Sequence, residues 1–335
     1  INYLKLTAGY DVSGNDDIDY YAARSYFKAK ELLTSISALS FSNVGNTKIQ
    51  WETTKRFNAG FEGNFINNRL NVKFNYFKSK TNNLLTYQTL GFLSGLEKNW
   101  SNGGSLKNEG FDVTATAKLF VSKNWQWELG GSMGHYVNKI TSLPDNETYF
   151  DTEIYGGTVR TSVGNSAGLF YGYKTLGVFS TSEEAKAAAG SNNDPKGLYI
   201  LGSNGITKSY FGAGDIHFAD LDGNGKIDNN DRTVIGNPNP DIYGNIFTTL
   251  AYKHFKLDIN FNYCLGNDVY NYLRSQLESG SRFMNQSTAM LNRWQVEGQV
   301  TDVPKVTFQD PMGNSRFSDR WIEDGSYLKL KSITL

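Results

Sequence analysis

Leu70-Asn71-Val72-Lys73-Phe74-Asn75-Tyr76 alternates an apolar with a polar residue at every step. Successive side chains of a β-strand point to opposite faces, so this segment reads as a strand with one greasy and one wet side. The same period recurs along the chain. Phe111, Val113, Ala115, Ala117 and Leu119 oppose Asp112, Thr114, Thr116 and Lys118. Trp125, Trp127, Leu129, Met133 and Val137 oppose Gln126, Glu128, Ser132 and Tyr136, and Leu257, Ile259, Phe261 and Tyr263 oppose Asp258, Asn260 and Asn262. Weaker versions run through Leu4 to Tyr10, Trp51 to Phe61 and Ile242 to Tyr252.

These stretches are long enough to cross a bilayer. A tilted strand needs about nine to eleven residues to span the ~30 Å hydrocarbon layer, whereas strands of soluble proteins run to about five or six. Aromatic residues gather at strand ends, as with Trp125 and Trp127 or Tyr76 and Phe77, as they do in the girdles of outer-membrane barrels. The connections alternate in length. Tight turns at Ile66-Asn67-Asn68-Arg69, Val121-Ser122-Lys123-Asn124 and Lys253-His254 lie between long polar stretches at 79–105, 140–167, 176–241 and 265–325. Brief turns on one side and extended loops on the other characterise membrane barrels. The residues therefore predict an all-β chain, a transmembrane antiparallel β-barrel segment over residues 1–335 with long extracellular loops. Two loops carry predicted helical pieces: Glu183 to Ala189, capped by Ser182 and ended by Gly190, and one or two amphipathic helices in 268–296 broken at Gly280.

Composition excludes several functions. The 335 residues carry 33 Lys+Arg against 33 Asp+Glu, so no net charge draws the chain to nucleic acid. Cys264 is the single cysteine, which excludes a disulfide framework and a cysteine-based zinc cluster. No apolar run approaches a membrane-spanning helix and no signal peptide is read. Aromatics at 14% and 34 glycines favour strands and turns over helices.

One stretch has ligand spacing. Asp220-Leu221-Asp222-Gly223-Asn224-Gly225-Lys226-Ile227-Asp228-Asn229-Asn230-Asp231 follows the twelve-residue calcium loop of the EF-hand. Asp220, Asp222 and Asn224 stand at positions 1, 3 and 5, and Gly225 at 6 permits the sharp turn. Lys226 at 7 offers its backbone carbonyl with its side chain directed away, while Asp228 at 9 and Asp231 at 12 complete the set. Asp at 12 in place of the bidentate Glu predicts weak binding of a structural Ca2+, and a bare Asp/Asn/Gly turn is the alternative.

No catalytic constellation emerges. Gly130-Gly131-Ser132-Met133-Gly134 fits the G-x-S-x-G pattern, but a nucleophile elbow needs a strand-to-helix turn and the alternation here runs straight through Ser132. His135, His217 and His254 share no spacing with a nucleophile or metal ligand, and the chain reads as no enzyme.

Gly214-Asp215-Ile216-His217-Phe218-Ala219-Asp220, the calcium loop, and Asp231-Arg232-Thr233-Val234-Ile235-Gly236-Asn237-Pro238-Asn239-Pro240 together resemble the SusC/RagA family of TonB-dependent outer-membrane transporters. Asn2-Tyr3-Leu4-Lys5-Leu6, Leu291-Asn292-Arg293-Trp294 and Gly325-Ser326-Tyr327-Leu328-Lys329-Leu330-Lys331-Ser332-Ile333-Thr334-Leu335 resemble it as well. The resemblance implies a barrel of about 22 strands holding a plug, energised through TonB, lidded by a SusD-like surface lipoprotein and importing a glycan or peptide across the bacterial outer membrane. It implies that this chain is an internal piece of such a transporter, without plug or final strands. The competing readings are a soluble, calcium-stabilised β-sandwich that binds carbohydrate and, last, a secreted hydrolase built on Ser132.

Overall fold

The computed structural model describes residues 1–32, 36–89, 96, 98–188 and 194–335. Its main feature is one antiparallel sheet of eight long strands: β1 (Tyr3–Asn15), β2 (Glu52–Phe65), β3 (Leu70–Asn82), β4 (Ser105–Val121), β5 (Trp125–Ser142), β6 (Ile242–Tyr252), β7 (Phe255–Leu265) and β8 (Tyr327–Thr334). Sheet order follows chain order from β1 to β8. β1 and β8 are the outer strands of this sheet, each with one neighbour in it.

The register aligns the alternation of every strand. Leu6, Phe61, Phe74, Val113, Met133, Gly244, Tyr263 and Leu328 are successive cross-strand partners and form one row through the sheet. The adjacent row is Lys5, Glu62, Lys73, Thr114, Ser132, Asn245, Asn262 and Lys329. At this level one face is apolar and the other polar, the polar face carrying Tyr243 and Phe247 as well, over Gly134 and Gly130. Among the described residues no second sheet covers the apolar face: Leu6 is 75% exposed and Leu328 66%. The buried core lies elsewhere, since only Phe77 and Ile140 of the buried hydrophobic residues belong to these strands. A β-sandwich, which buries its apolar faces against each other, is thereby ruled out.

The turns at one end are tight because the chain reverses within a few residues. Ile66, Asn67 and Asn68 all adopt positive φ, at 54°, 53° and 61°, a region that asparagine tolerates and a β-branched residue rarely enters. Ser122 closes its turn with its backbone N–H donating to the Trp125 carbonyl (2.8 Å), while its Oγ accepts from the Trp125 N–H (3.1 Å). At the other end the connections are long and structured. The first spans 16–51 and holds a hairpin, Tyr26–Leu32 with Ile36–Asn43, in a stretch where no strand was expected. The second holds Leu85–Thr89 paired with Lys98–Asn102. The two stretches expected at 140–167 and 176–241 form a single connection from Leu143 to Asp241, because β5 pairs directly with β6. The segment between them joins a four-stranded loop sheet made of Tyr149–Ile154, Gly157–Ser162, Leu169–Tyr173 and Arg232–Gly236.

Helical content is smaller than expected. α1 (Ser182–Ala187) is capped by Thr181, whose side chain accepts from the Glu184 N–H, and Ser182 is already its first helical residue. The predicted stop at Gly190 lies outside the described residues. In 268–296 the structure has only α2 (Tyr272–Leu277) and a 3-10 turn at Thr288–Asn292. Gly280, at φ 61°, lies between them.

Gly244 shows how tightly the wall strands approach. A Cβ there would meet the Ser132 carbonyl oxygen at 2.0 Å and the Tyr263 hydroxyl at 2.9 Å, and that hydroxyl donates across the glycine to the same carbonyl (3.0 Å). Gly244→Ala should cost about 1–3 kcal/mol through overpacking and loss of this bond. Guanidinium unfolding of the detergent-solubilised protein measures it.

Candidate functional site

The long connections from Leu143 to Asp241 and from Gly266 to Ser326 fold together above the wall. Their shared core contains Phe179, Leu198, Phe211, Ile216, Phe218 and Ile227, with Met312 of the other connection packed against it. The segment opening the family-like stretch supplies the joint. Gly214 has φ 81°, and a Cβ on it would lie 2.5 Å from the Trp294 ring and 3.0 Å from Lys305 Cβ. Asp215, 1% exposed, accepts from Lys305 Nζ (2.9 Å), the Gly212 N–H (2.9 Å) and Asn314 Nδ2 (2.9 Å). Asn314 Oδ1 in turn accepts from the Ile216 N–H (2.8 Å). Trp294 Nε1 donates to the Ser180 carbonyl (3.1 Å), and Asp319 Oδ1 accepts from the Thr175 N–H (3.0 Å) and hydroxyl (2.6 Å). Lys305, Asn314 and Asp319 had no distinguishing sequence context, since their partners lie some ninety or more residues away.

The candidate calcium loop is partly assembled. Carboxylate oxygens of Asp220, Asp222 and Asp231 lie within 4.8 Å of one another. Backbone donors hold them: Asp220 accepts from the Asn224 and Gly225 N–H groups (3.2 and 2.7 Å), and Asp231 from the Leu221 and Asp228 N–H groups (2.8 and 2.7 Å). Asp231 is fully buried, and desolvation, aided by the charges of Asp222 and Asp220, raises its pKa despite those bonds. Three hard oxygens with a carboxylate reluctant to ionise fit a divalent cation, which offsets that penalty.

The remaining expected ligands are arranged differently. Asn224 accepts the Lys226 N–H on Oδ1 (2.7 Å) and donates through Nδ2 to Asp222 (2.7 Å). The Lys226 side chain, expected to point away, pairs instead with Asp228. Asp228 caps the 3-10 turn Asn229–Asp231 by accepting from the Asn230 N–H (2.7 Å). A short acidic turn at position 9 thus finds local partners before any cation, because an N-cap and a neighbouring lysine are one or two residues away.

The catalytic alternative fails on geometry. Ser132 sits mid-strand and its hydroxyl donates to Asn245 Oδ1 (2.6 Å). The flanking glycines serve packing: Cβ atoms at Gly130 and Gly134 would lie 2.4 and 2.6 Å from the Phe247 and Tyr243 rings, which cover them. His135 Nδ1 lies 2.6 Å from the Asp241 carbonyl oxygen, and His254 is exposed in its turn. His217 stacks on Phe179 at 4.4 Å, and burial lowers its pKa.

The polar face of the wall carries the other candidate surface. A cavity of about 510 Å3 lies against β1 to β4, lined by Lys5, Thr7, Glu62, Lys73, Asn75, Asp112 and Thr114 of the polar face together with Phe61 and Phe74. Charges of both signs line it, together with neutral hydrogen-bonding groups.

Comparison with known proteins agrees with this architecture. The family described as TonB dependent receptor-like, beta-barrel matches residues 3–235. The chain is 28% identical to TonB-dependent receptor P3 of Formosa agariphila, covering 100% of this chain and 32% of that protein. It is 24% identical to TonB-dependent receptor SusC of Bacteroides thetaiotaomicron, covering 99% of this chain and 31% of that protein. The fold superposes on the structure of the RagAB peptide transporter with a TM-score of 0.74 at 22% identity, over 98% of this chain and 34% of that one. The chain therefore spans about a third of the length of the relatives it matches.

Proposed function

Because the chain belongs to the TonB-dependent receptor-like β-barrel family, whose barrels lie in the bacterial outer membrane, we propose that it forms part of the wall and the outer loops of an importer. The cargo is a glycan or a peptide, the energy comes through TonB, and a SusD-like lipoprotein covers the loops. The carrying observation is the pair of adjacent rows, one apolar and one polar, running unbroken across eight strands. The apolar row faces acyl chains and the polar row faces a water-filled lumen. Charged and amide groups on Lys5, Glu62, Lys73 and Asn75 give the lumen a surface on which hydrophilic cargo exchanges water for protein hydrogen bonds.

The intact protein should fractionate with outer membranes and leave them only in detergent, and cells lacking it or TonB should lose uptake of its cargo. Recovery in the soluble fraction would refute the reading.

The loop 220–231 is, in the same reading, a structural Ca2+ site held by Asp220, Asp222 and Asp231. Millimolar Ca2+ should slow amide hydrogen exchange across 220–231 at least several-fold relative to chelator, and Asp222→Ala should abolish the difference. Equal exchange with and without Ca2+ would remove the metal from the account.

A further inference from the structure

Beside the joint between the two long connections, two cavities of about 170 and 570 Å3 adjoin and share Ser281, Arg282 and Ser315. Each end carries an exposed aromatic pair. Tyr155, 72% exposed at the tip of the Tyr149–Ser162 hairpin, packs at a tilt of 34° against Tyr272 with centroids 5.1 Å apart. Tyr155 and Gly156 both have positive φ, at 50° and 76°, so the turn itself presents the ring. At the other end Phe308 stacks on Phe283 at 4.9 Å, and Phe283 is 92% exposed.

The middle of the groove is rich in hydrogen-bond acceptors. The hydroxyls lining it already donate inward: Ser275 to the Tyr272 carbonyl (2.7 Å), Ser281 to Ser279 (3.2 Å) and Ser315 to Asp310 (2.6 Å). Ser275, 7% exposed, also lies 3.2 Å from the Tyr270 hydroxyl, whereas the oxygen lone pairs of Ser281 and Ser315 remain to receive O–H donors from a ligand. Arg282 is exposed and makes no ion pair among the described residues, unlike Arg274, which is held by Glu278 and Glu323. No carboxylate lines the smaller cavity. Asp310 in the larger one accepts from the Asn314 N–H, the Ser315 N–H and the Ser315 hydroxyl, which hold its carboxylate against the loop. Beneath the groove, Arg320 stacks on the buried Trp321 at 4.4 Å with both terminal nitrogens unpartnered. Burial lowers its pKa to about 10, which leaves it charged at neutral pH, with the carboxylates of Glu278, Asp302 and Asp310 acting on it.

We infer that this groove is a subsite for an acidic oligosaccharide, with sugar faces on Tyr155 and Phe308, sugar hydroxyls donating to the serines, and a carboxylate on Arg282. The inference rests on the import reading and names its cargo class. A neutral sugar would leave Arg282 unused. A peptide would be held mainly through its backbone amides, and the aromatic ends offer flat C–H-binding surfaces in place of a strand edge.

The test uses the intact transporter in detergent and calorimetric titration with oligogalacturonates and oligomannuronates, their carboxyl-reduced counterparts, and acidic peptides of equal charge. At least one acidic glycan should bind more tightly than its reduced form. Arg282→Gln should weaken that binding about tenfold or more without lowering Tm, and leave the reduced form unaffected. Tyr155→Ala should weaken both glycan forms. The inference is overturned if no acidic glycan exceeds its reduced counterpart, if Arg282→Gln leaves the preference intact, or if only peptides show the Arg282 dependence. Fractionation separates the failures: protein in the outer membrane that prefers neutral cargo defeats this inference alone, whereas protein outside it defeats the import reading.

Discussion

Phe74→Arg should destabilise the wall by about 2–4 kcal/mol, the cost of a cation on the lipid face near mid-bilayer, and Asn75→Arg, one residue along, should be close to neutral. Phe74 lies at the centre of β3, between Phe61 and Val113 on the apolar row, and stacks with Phe61 and Phe111 at 5.8 and 6.2 Å. Asn75 belongs to the opposite face and lines its cavity. Ile259→Arg on β7, between Thr248 and Ile333, should behave as Phe74→Arg does, and Asn260→Arg should be tolerated. Reversible unfolding in lipid vesicles gives the numbers, and Phe74→Leu separates lost ring packing from charge burial. Equal penalties on both faces would defeat the assignment of the apolar row to lipid.

The second large effect belongs to the loops. Lys305→Met should cost about 3 kcal/mol, because it leaves the buried Asp215 carboxylate without its cation. The ammonium itself is about one-third exposed on its side chain, at 32%, which places the effect at the low end for buried pairs. Asp215→Asn combined with Lys305→Met should recover much of the loss, since no uncompensated charge remains. The readout is local: hydrogen exchange in 211–218 and 294–305 should rise while the wall strands stay protected, as separate cooperative units allow. Uniform loosening of wall and loops would show that the joint is not a loop feature.

Much of the wall was legible from residues alone. Alternation is a property of adjacent positions, so Leu70 to Tyr76 or Leu257 to Tyr263 shows its two faces without reference to any partner. The tight turns were legible for the same reason, through asparagine at 67 and 68. Other features needed distant partners. Residues 268–296 show helix-like apolar spacing, yet Trp294 lies over Gly214 and donates to Ser180. The resemblance-bearing Gly214 and Asp215 turned out to be structural, one making room for a tryptophan and the other anchoring a lysine. In the acidic loop the spacing brings Asp220, Asp222 and Asp231 together, while Asp228 pairs with Lys226. Tyr155 and Arg282 carried no motif, and only the fold sets them along one groove.

By itself, then, the amino-acid order determined which side of each strand avoids water, where the chain turns sharply, and where carboxylates gather, since all three depend on neighbours a few positions apart. Only the tertiary structure decided that β5 runs beside β6 across the connection from Leu143 to Asp241, and that the two long connections share one core. Those pairings depend on closing loops of many residues, and the free energy that selects them lies in contacts such as Lys305 with Asp215, whose members are far apart in the chain.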